Sequence, residues 1–578
     1  MSKYPNLKSL KVFHKGRRVR IFLVILFTAL TGCLTLAVPF AASQIIISIT
    51  GGDYSALAKF AGVLFGLVVA AATAEMAADY FYASTTNALF LDARRRIAYK
   101  TMSMNLSSVY DKGSGFFLER LNEDSKEFST VYLSIDKALV NLVINMSFII
   151  YITALNYLLG LLFALGLGVL IFLEYLRVHQ LLKNKKLSKR AVEKVKAKEA
   201  EILKGIKEIK GLNAREAVVE KHTEVSSVHV GLKYKREFFE KKMQRFIDIL
   251  KGLIDFSVLL FAALYLLPKG EAELAAVLVV YTYKGNIYEF IAGLARIKDH
   301  YVNGELAAKR INDIIAAPAD EIDNFGSELI GGSIKTIELE NVVFGYSADR
   351  TVLNDVSIRI ESPSLIGFVG RSGSGKSTIF SLLTGFYKAS GGRILINGKD
   401  IYSLSEDAVR SAITPVLQDP YIFNDTVINN LLIAKADATA AQIEQACIAA
   451  RIHDEILQMP DGYQTVIGEN GATISGGQKQ RLEIARALLK DTEVILFDEA
   501  TSALDKNNQE RINDLVIELG KTKIVLVIAH RFGIMRRCDK VVVLNEGKIV
   551  AADSHEELMK SCPYYAELAR KNKPKEKE

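Results

Sequence analysis

From Ile21 to about Ile49 the chain runs apolar for longer than a helix needs to cross a hydrocarbon core of ~30 Å, and comparable runs recur at 56–78, 138–155, 158–176, 252–267 and 272–293. No other feature constrains the fold as much. Inside a bilayer only segments that satisfy their own backbone can cross, so these six stretches are read as membrane-spanning helices. The loops after the first, third and fifth, "GGDYS", "NY" and "PKGEAE", are short and hold one Lys and no Arg. The opposite side carries Lys3, Lys8, Lys11, Lys15, Arg17, Arg18 and Arg20, then "DARRRIAYK" and "HQLLKNKKLSKR". Basic residues stay on the cytoplasmic side, which places the N-terminus and the long second half in the cytoplasm. The net charge of +8 is therefore juxtamembrane, not the footprint of a nucleic-acid binder. A basic start followed by "LTGC" resembles a lipoprotein signal, but the apolar run continues well past Cys33.

The connections between spans are long on the basic side. Residues 85–130 and 180–243 both read as helix-forming, and 180–243 is rich in Ala, Glu, Lys and Leu, which make a poor loop and a good helix, so the spans are expected to extend into the cytosol. "APADEIDNFGSELIGGS" reads as a linker at 316–333. This gives a transmembrane domain over 1–315 and a second domain over 334–578. In the second domain short β-rich runs such as "SLIGFVG", "VILFD" and "IVLVIAH" alternate with helical stretches, the mark of an α/β domain with buried parallel strands. The four cysteines have no zinc or redox spacing and are read as free thiols.

The second domain holds the chemistry. "GRSGSGKST", Gly370 to Thr378, fits a phosphate-binding loop between a strand and a helix. Backbone N–H groups of Ser372, Gly373, Ser374 and Gly375 would curl around phosphates, aided by the helix N-terminus. Lys376 would reach the β- and γ-phosphates, Ser377 would hold Mg²⁺, and Thr378 closes the loop. "VILFDEA" ends a buried strand in two carboxylates: Asp498 is placed to position Mg²⁺ and Glu499 to orient an attacking water. As an isolated pair these acids could instead cap the next helix.

"ISGGQKQRLEIARALL" discriminates best. The second half resembles the nucleotide-binding domain of an ABC transporter, and "ISGGQ" is similar to its LSGGQ signature, with a volume-conserving Ile for Leu. The resemblance implies that Ser475, Gly476, Gly477 and Gln478 close on ATP held by a second half-transporter. It also implies an adenine-stacking role for Tyr346, a Q-loop role for Gln418 at Mg²⁺ and the attacking water, a D-loop role for Asp505 in "SALD", and a switch role for His530 near the γ-phosphate. "VIGENG" is similar to an exporter X-loop. "IESPSLIGFVG" departs from the family's usual turn, so an altered turn with activity retained is expected. The first half resembles the six-helix domain of exporters of the multidrug, peptide and lipid kind, with coupling helices at 106–111 and 211–216.

The sixth span carries Lys284 and Glu289, a costly pair of charges for a membrane segment. At ~100° per residue they point ~140° apart and do not pair along the helix. Lys284, Tyr281 and Tyr288 are expected to line a substrate cavity and receive an anionic or hydrogen-bonding group; the alternative is a structural pair between Lys284 and an acid on another helix, for instance Glu75 or Asp79. In "DILKGLID", Lys251 is spaced to pair with Asp248 and Asp255 on one helix face.

The chain is thus read as a membrane protein with a six-helix all-α transmembrane domain and long cytosolic extensions, followed by an α/β P-loop ATPase domain. The resemblance implies ATP-driven export of an amphiphile, peptide, lipid or drug-like, with ATP and Mg²⁺. It implies a dimer with an identical chain in a bacterial inner or plasma membrane, membrane lipids as surroundings and no nucleic acid. Lipid flipping or import on the same scaffold is the alternative.

Overall fold

The computed structural model describes residues 16–266, 271–347, 350–468, 473–501, 504–529 and 532–571. Among them, six helices exceed thirty residues; five of the apolar runs each lie within one of them, and the run at 252–267 begins in one and continues over Ala262–Leu266 as a π-helical turn. The six helices are α1 (Arg18–Thr50), α2 (Tyr54–Met102), α4 (Ser125–Leu155), α5 (Tyr157–Lys204), α7 (Arg215–Phe261) and α8 (Glu271–Ile315). Four of them carry windows long and apolar enough to cross a membrane by themselves, within Arg18–Ile49, Tyr54–Met102, Lys137–Ala154 and Tyr157–Leu181. The last two, α7 and α8, carry Asp255, Lys284 and Glu289 within their apolar stretches and Lys251 at the edge of the first. Large apolar side chains such as Phe65, Ile150, Leu165 and Leu253 point outward, as lipid-facing residues must. Inward, Phe148 stacks on Tyr283 at 4.0 Å, and Ile152, Leu159, Phe163, Ile254 and Ile287 pack with them.

Two shorter helices, α3 (Leu106–Glu119) and α6 (Ile206–Gly211), join the long ones. Residues 211–216 straddle the turn that ends α6 and starts α7, with Asn213 at φ +51°. Residues 106–111 open α3, which breaks at Gly113, where φ is +74°, a conformation glycine adopts without strain. The break is a boundary between two compact units. Residues up to 102 and from 113 to 317 form the helical unit, while Ser103–Lys112 fold with Pro318–Glu578.

In the second unit, Met104 bridges Ile322 in antiparallel fashion, Asn105 N–H donates to the Glu321 carbonyl at 3.0 Å, and Lys112 pairs with Glu321. An antiparallel sheet of β1 (Thr336–Phe344), β2 (Leu353–Glu361), β4 (Gly391–Ile396) and β5 (Lys399–Asp400) runs in the order β2-β1-β4-β5. The six-stranded sheet comprises β3 (Ser364–Val369), β6 (Ile413–Val416), β7 (Val494–Asp498), β8 (Ile524–Ile528), β9 (Lys540–Asn545) and β10 (Lys548–Asp553), in the order β10-β9-β3-β8-β7-β6. All are parallel except the edge strand β10.

Strands β3 and β8 are buried along their whole length because they are covered on both faces. Leu365, Val369, Val525 and Phe497 face a helical layer that includes Leu482, Ile484 and Ile512. Ile366, Phe368, Leu526 and Leu496 face the antiparallel sheet through Ile337, Val356 and Ile394. The turn between β2 and β3, where an altered turn was expected, contains a cis Ser362–Pro363 peptide bond. All four cysteines are unpaired.

Candidate functional site

Parallel strands deliver their carboxyl ends to one edge of the sheet, where ligands of open α/β folds bind. Here β3 runs into the phosphate loop, β7 into Asp498 and Glu499, and β6 into the segment holding Gln418. The carboxyl ends of β7 and β8 lie in register, with Ile528 opposite Asp498. His530 follows β8 and lies outside the described residues, as do Glu469, Asn470 and Gly471 of "VIGENG" and Ser502 of "SALD".

The phosphate loop is built by backbone geometry. Gly373 and Gly375 sit at φ +79° and +100°, and a Cβ on Gly375 would come within 2.5 Å of Leu353 Cδ2. Helix α9 (Lys376–Leu383) starts at once, so its first N–H groups face the loop. The Ser374 hydroxyl is buried with no hydrogen-bond partner among the described residues. Lys376 is buried, and its ammonium donates to the carbonyls of Gly370 at 3.0 Å and Arg371 at 3.1 Å. Burial lowers its pKa, against the opposing pull of Glu499 and Asp498. The loop, the orphaned hydroxyl and the held ammonium fit a polyphosphate.

Two hydrogen bonds draw the remaining groups together. Ser377 Oγ donates to Asp498 Oδ1 at 3.1 Å, and Gln418 Nε2 donates to Glu499 Oε2 at 2.9 Å. Glu499 has a left-handed backbone, φ +50°, and its N–H donates to the Ile528 carbonyl at 3.0 Å. A hydroxyl against a carboxylate, next to a second carboxylate held by an amide, is an oxygen-rich donor set suited to Mg²⁺. Tyr346 is half exposed, meets Thr378 Oγ1 through its hydroxyl at 3.2 Å, and stands edge-on to Tyr387 at 5.1 Å, leaving ring surface free to stack on a base.

The signature segment caps α10 (Gly476–Lys490). Ser475 Oγ accepts from Gln478 N–H at 3.2 Å and Gln478 Oε1 accepts from Ser475 N–H at 2.7 Å. This box leaves the N–H groups of Gly476 and Gly477 as first-turn donors without an intrahelical acceptor. Asp505 caps α11 (Lys506–Gly520), accepting from Asn508 N–H at 3.0 Å, and these bonds lower its pKa.

Sequence reasoning missed three supports. Glu455 holds Arg481 with both oxygens at 2.6 Å and Gln478 Nε2 at 3.0 Å. Arg486 donates to Asn430 O at 2.8 Å, Asn430 Oδ1 at 2.6 Å and Tyr421 O at 2.8 Å, tying α10 to the segment beyond Gln418. Gln480 donates to the Gln418 carbonyl at 3.4 Å. None of these carries a local spacing signal.

The helical unit decides the charge assignments. Lys284 donates to Asp255 Oδ2 at 2.7 Å, so it pairs with an acid on another helix, as the alternative had it, though with neither Glu75 nor Asp79, and Tyr288 hydroxyl donates to Asp255 Oδ1 at 2.9 Å. Lys284 also lies over the Tyr281 ring at 3.7 Å. The pairing along "DILKGLID" does not form among the described residues: Asp255 turns to α8, Asp248 accepts from Gln244, and Lys251 lies 5.4 Å from the Tyr288 ring. The large polar cavity of this unit takes its α8 lining from the opposite face, Tyr283, Asn286, Glu289 and Phe290. Tyr281, Lys284 and Tyr288 are not among its lining residues, because helical phase turns Lys284 and Tyr288 together toward α7.

A bundle of long apolar helices joined to a P-loop ATPase sheet defines a membrane-embedded, ATP-driven machine. Residues 353–502 match the model described as ABC transporter, and residues 21–285 the model described as ABC transporter transmembrane region. The chain is 31% identical to an ATP-dependent lipid A-core flippase of Saccharophagus degradans, covering 84% of this chain and 83% of that one. It is 29% identical to the protein of that name from Escherichia coli strain K12, covering 89% of each. A solved bacterial Atm1-family ABC exporter with ATP bound shares the fold, with TM-score 0.82 and 23% identity over 98% of this chain and 100% of that one. The chain belongs to the ABC transporter family. It is a multi-pass membrane protein with a cytoplasmic nucleotide-binding domain, and it couples ATP hydrolysis to transport.

Proposed function

We propose that the chain is one half of an exporter that moves an amphiphile across a bacterial inner or plasma membrane, working as a dimer with an identical chain. The observation that carries this reading is the paired contact Ser377–Asp498 and Gln418–Glu499 at the edge of an ATPase sheet, in a chain whose helical unit holds a polar cavity. The phosphate loop and Lys376 bind the polyphosphate, and Tyr346 stacks on the base. Ser377, Asp498 and Gln418 would hold Mg²⁺, which neutralises phosphate charge when bound. Glu499, oriented by Gln418, takes a proton from the attacking water, and His530 is assigned to the γ-phosphate side. Ser475, the Gly476 and Gly477 N–H groups and Gln478 serve the partner's nucleotide, with Asp505 beside them. The linker over 316–333 and the coupling segments at 106–111 and 211–216 carry the movement between domains.

The relatives' shared name supports a second reading, in which the amphiphile is a lipid moved between leaflets. The test compares medium and membranes of cells carrying the wild type or Glu499→Gln by mass spectrometry. A compound lost from the medium and retained inside supports export, and altered outer-leaflet lipid with an unchanged medium supports flipping. No change in either overturns both.

A further inference from the structure

The signature segment presents its N–H groups from the first turn of α10, and the side chain that completes the capping box there is held from outside the helix. Gln478 accepts from Ser475 N–H through Oε1 and donates through Nε2 to Glu455 at 3.0 Å. Turning the amide over would set a donor against a donor at Ser475 and an oxygen against a carboxylate at Glu455, so the two contacts admit one orientation. Arg481 lies three residues further on, on the same face of α10. It is only 5% exposed, and both oxygens of Glu455 accept from its Nη2 at 2.6 Å. One carboxylate therefore grips the opening of α10 at two points.

The grip comes from a fixed base. Glu455 lies on the short helix His453–Leu457, whose Ile456 is fully buried in the same core as Leu482 and Ile484 of α10. His453 Nδ1 lies 2.9 Å from the Tyr463 hydroxyl, which ties the start of that helix to the chain beyond it. The charge is balanced as well. An unmatched carboxylate beside a helix N-terminus that receives phosphate would repel it, but Arg481 neutralises Glu455. What the pair contributes to the opening of α10 is therefore geometry and not net charge.

We propose that Glu455 is a positioning residue for ATP hydrolysis. It acts through Gln478, holding the amide, and with it the first turn of α10, in the one arrangement that presents Ser475 and the Gly476 and Gly477 N–H groups to the partner's nucleotide. This role rests on the reading that Ser475 to Gln478 close on that nucleotide.

The test is a kinetic mutant cycle on the full-length protein in liposomes. Glu455→Gln keeps the size of the side chain and removes the charged acceptor. It is expected to lower the maximal rate of ATP hydrolysis about tenfold, the worth of one charge-assisted hydrogen bond, with ADP binding to the phosphate loop unchanged. In a Gln478→Ala background the same substitution is expected to cost nothing further, because the amide it acts through is gone. A purely structural role through Arg481 would instead give losses that multiply, and that result overturns the proposal. Glu455→Leu/Arg481→Met separates function from folding, because it replaces the ion pair by apolar side chains and leaves Gln478 unheld. Its unfolding temperature is expected to match wild type while hydrolysis stays about tenfold down. Hydrolysis at the wild-type rate in this variant overturns the proposal. If Gln478→Ala alone leaves hydrolysis unchanged, the reading of the signature segment fails and the proposal fails with it. If Gln478→Ala lowers hydrolysis and Glu455→Gln does not, the proposal alone fails.

Discussion

Gln418 donates a 2.9 Å hydrogen bond to Glu499, fixing the orientation of the carboxylate that follows β7. If Glu499 takes the proton from water, Glu499→Gln leaves ATP binding intact and lowers hydrolysis by about 10²–10⁴-fold, the usual worth of a positioned base. Gln418→Ala lowers hydrolysis less, because it loosens the base without removing it. Phosphate release and nucleotide binding, measured on the same preparations, separate the two effects.

The Lys284–Asp255 pair joins α7 to α8 within apolar stretches. Removing either partner strands the other charge there, so Lys284→Met and Asp255→Leu each lower the unfolding temperature in detergent. The double variant is expected to recover part of the loss, with a coupling of about 1–3 kcal/mol in the mutant cycle. Additive losses would mean that the pair contributes nothing.

Asn430 is fully buried and acts as a staple for the segment beyond Gln418. It accepts from Phe423 N–H at 2.9 Å and Arg486 Nη2 at 2.6 Å, and donates to the Phe423 carbonyl at 3.0 Å and the Thr426 carbonyl at 2.9 Å. Asn430→Ala leaves several of these groups unmatched at about 1–3 kcal/mol each. Calorimetry should show a lower transition for the ATPase unit, with hydrolysis impaired even where that unit remains folded.

Asp323 gives the second unit a pH dependence of definite sign. Burial raises its carboxyl to about 6, against the pull of Arg410. The folded state therefore holds this proton more tightly than the unfolded chain. The stabilisation is present at low pH and is lost as pH rises through about 4 to 6. Asp323→Asn removes this step, so the variant's unfolding temperature relative to wild type should be higher at about pH 8 than at about pH 4. A difference independent of pH would count against the assignment.

What was legible in the sequence was what is local. Gly373, Gly375, Lys376 and Ser377 lie within five consecutive residues, Asp498 and Glu499 adjoin a strand of unmistakable burial, and the apolar runs announce the long helices. Pairings made by tertiary structure were not legible. Periodicity along α7 offered Asp255 to Lys251, but Lys284 on the neighbouring helix reaches the same carboxylate, with Tyr288 beside it one turn on. Glu455 was invisible for the same reason: its partners Gln478 and Arg481 come from a helix that begins well downstream. The phase of α8 divided its polar residues between two faces, and only packing assigned Glu289 and Asn286 to the cavity.

Residues 103–112 have a consequence for how such proteins can be recombined. The decapeptide belongs to the second unit, where the Ser103 carbonyl accepts from Asp323 N–H, Asn105 Nδ2 donates to the Asp320 carbonyl, and Met104 is buried. A polypeptide beginning at Pro318 would expose the surface that Met104 covers and leave those backbone groups to water. A chimera that exchanged the C-terminal half alone would inherit a seam stitched to the wrong decapeptide. The compact unit is discontinuous in sequence, and its smallest piece is encoded between two membrane crossings.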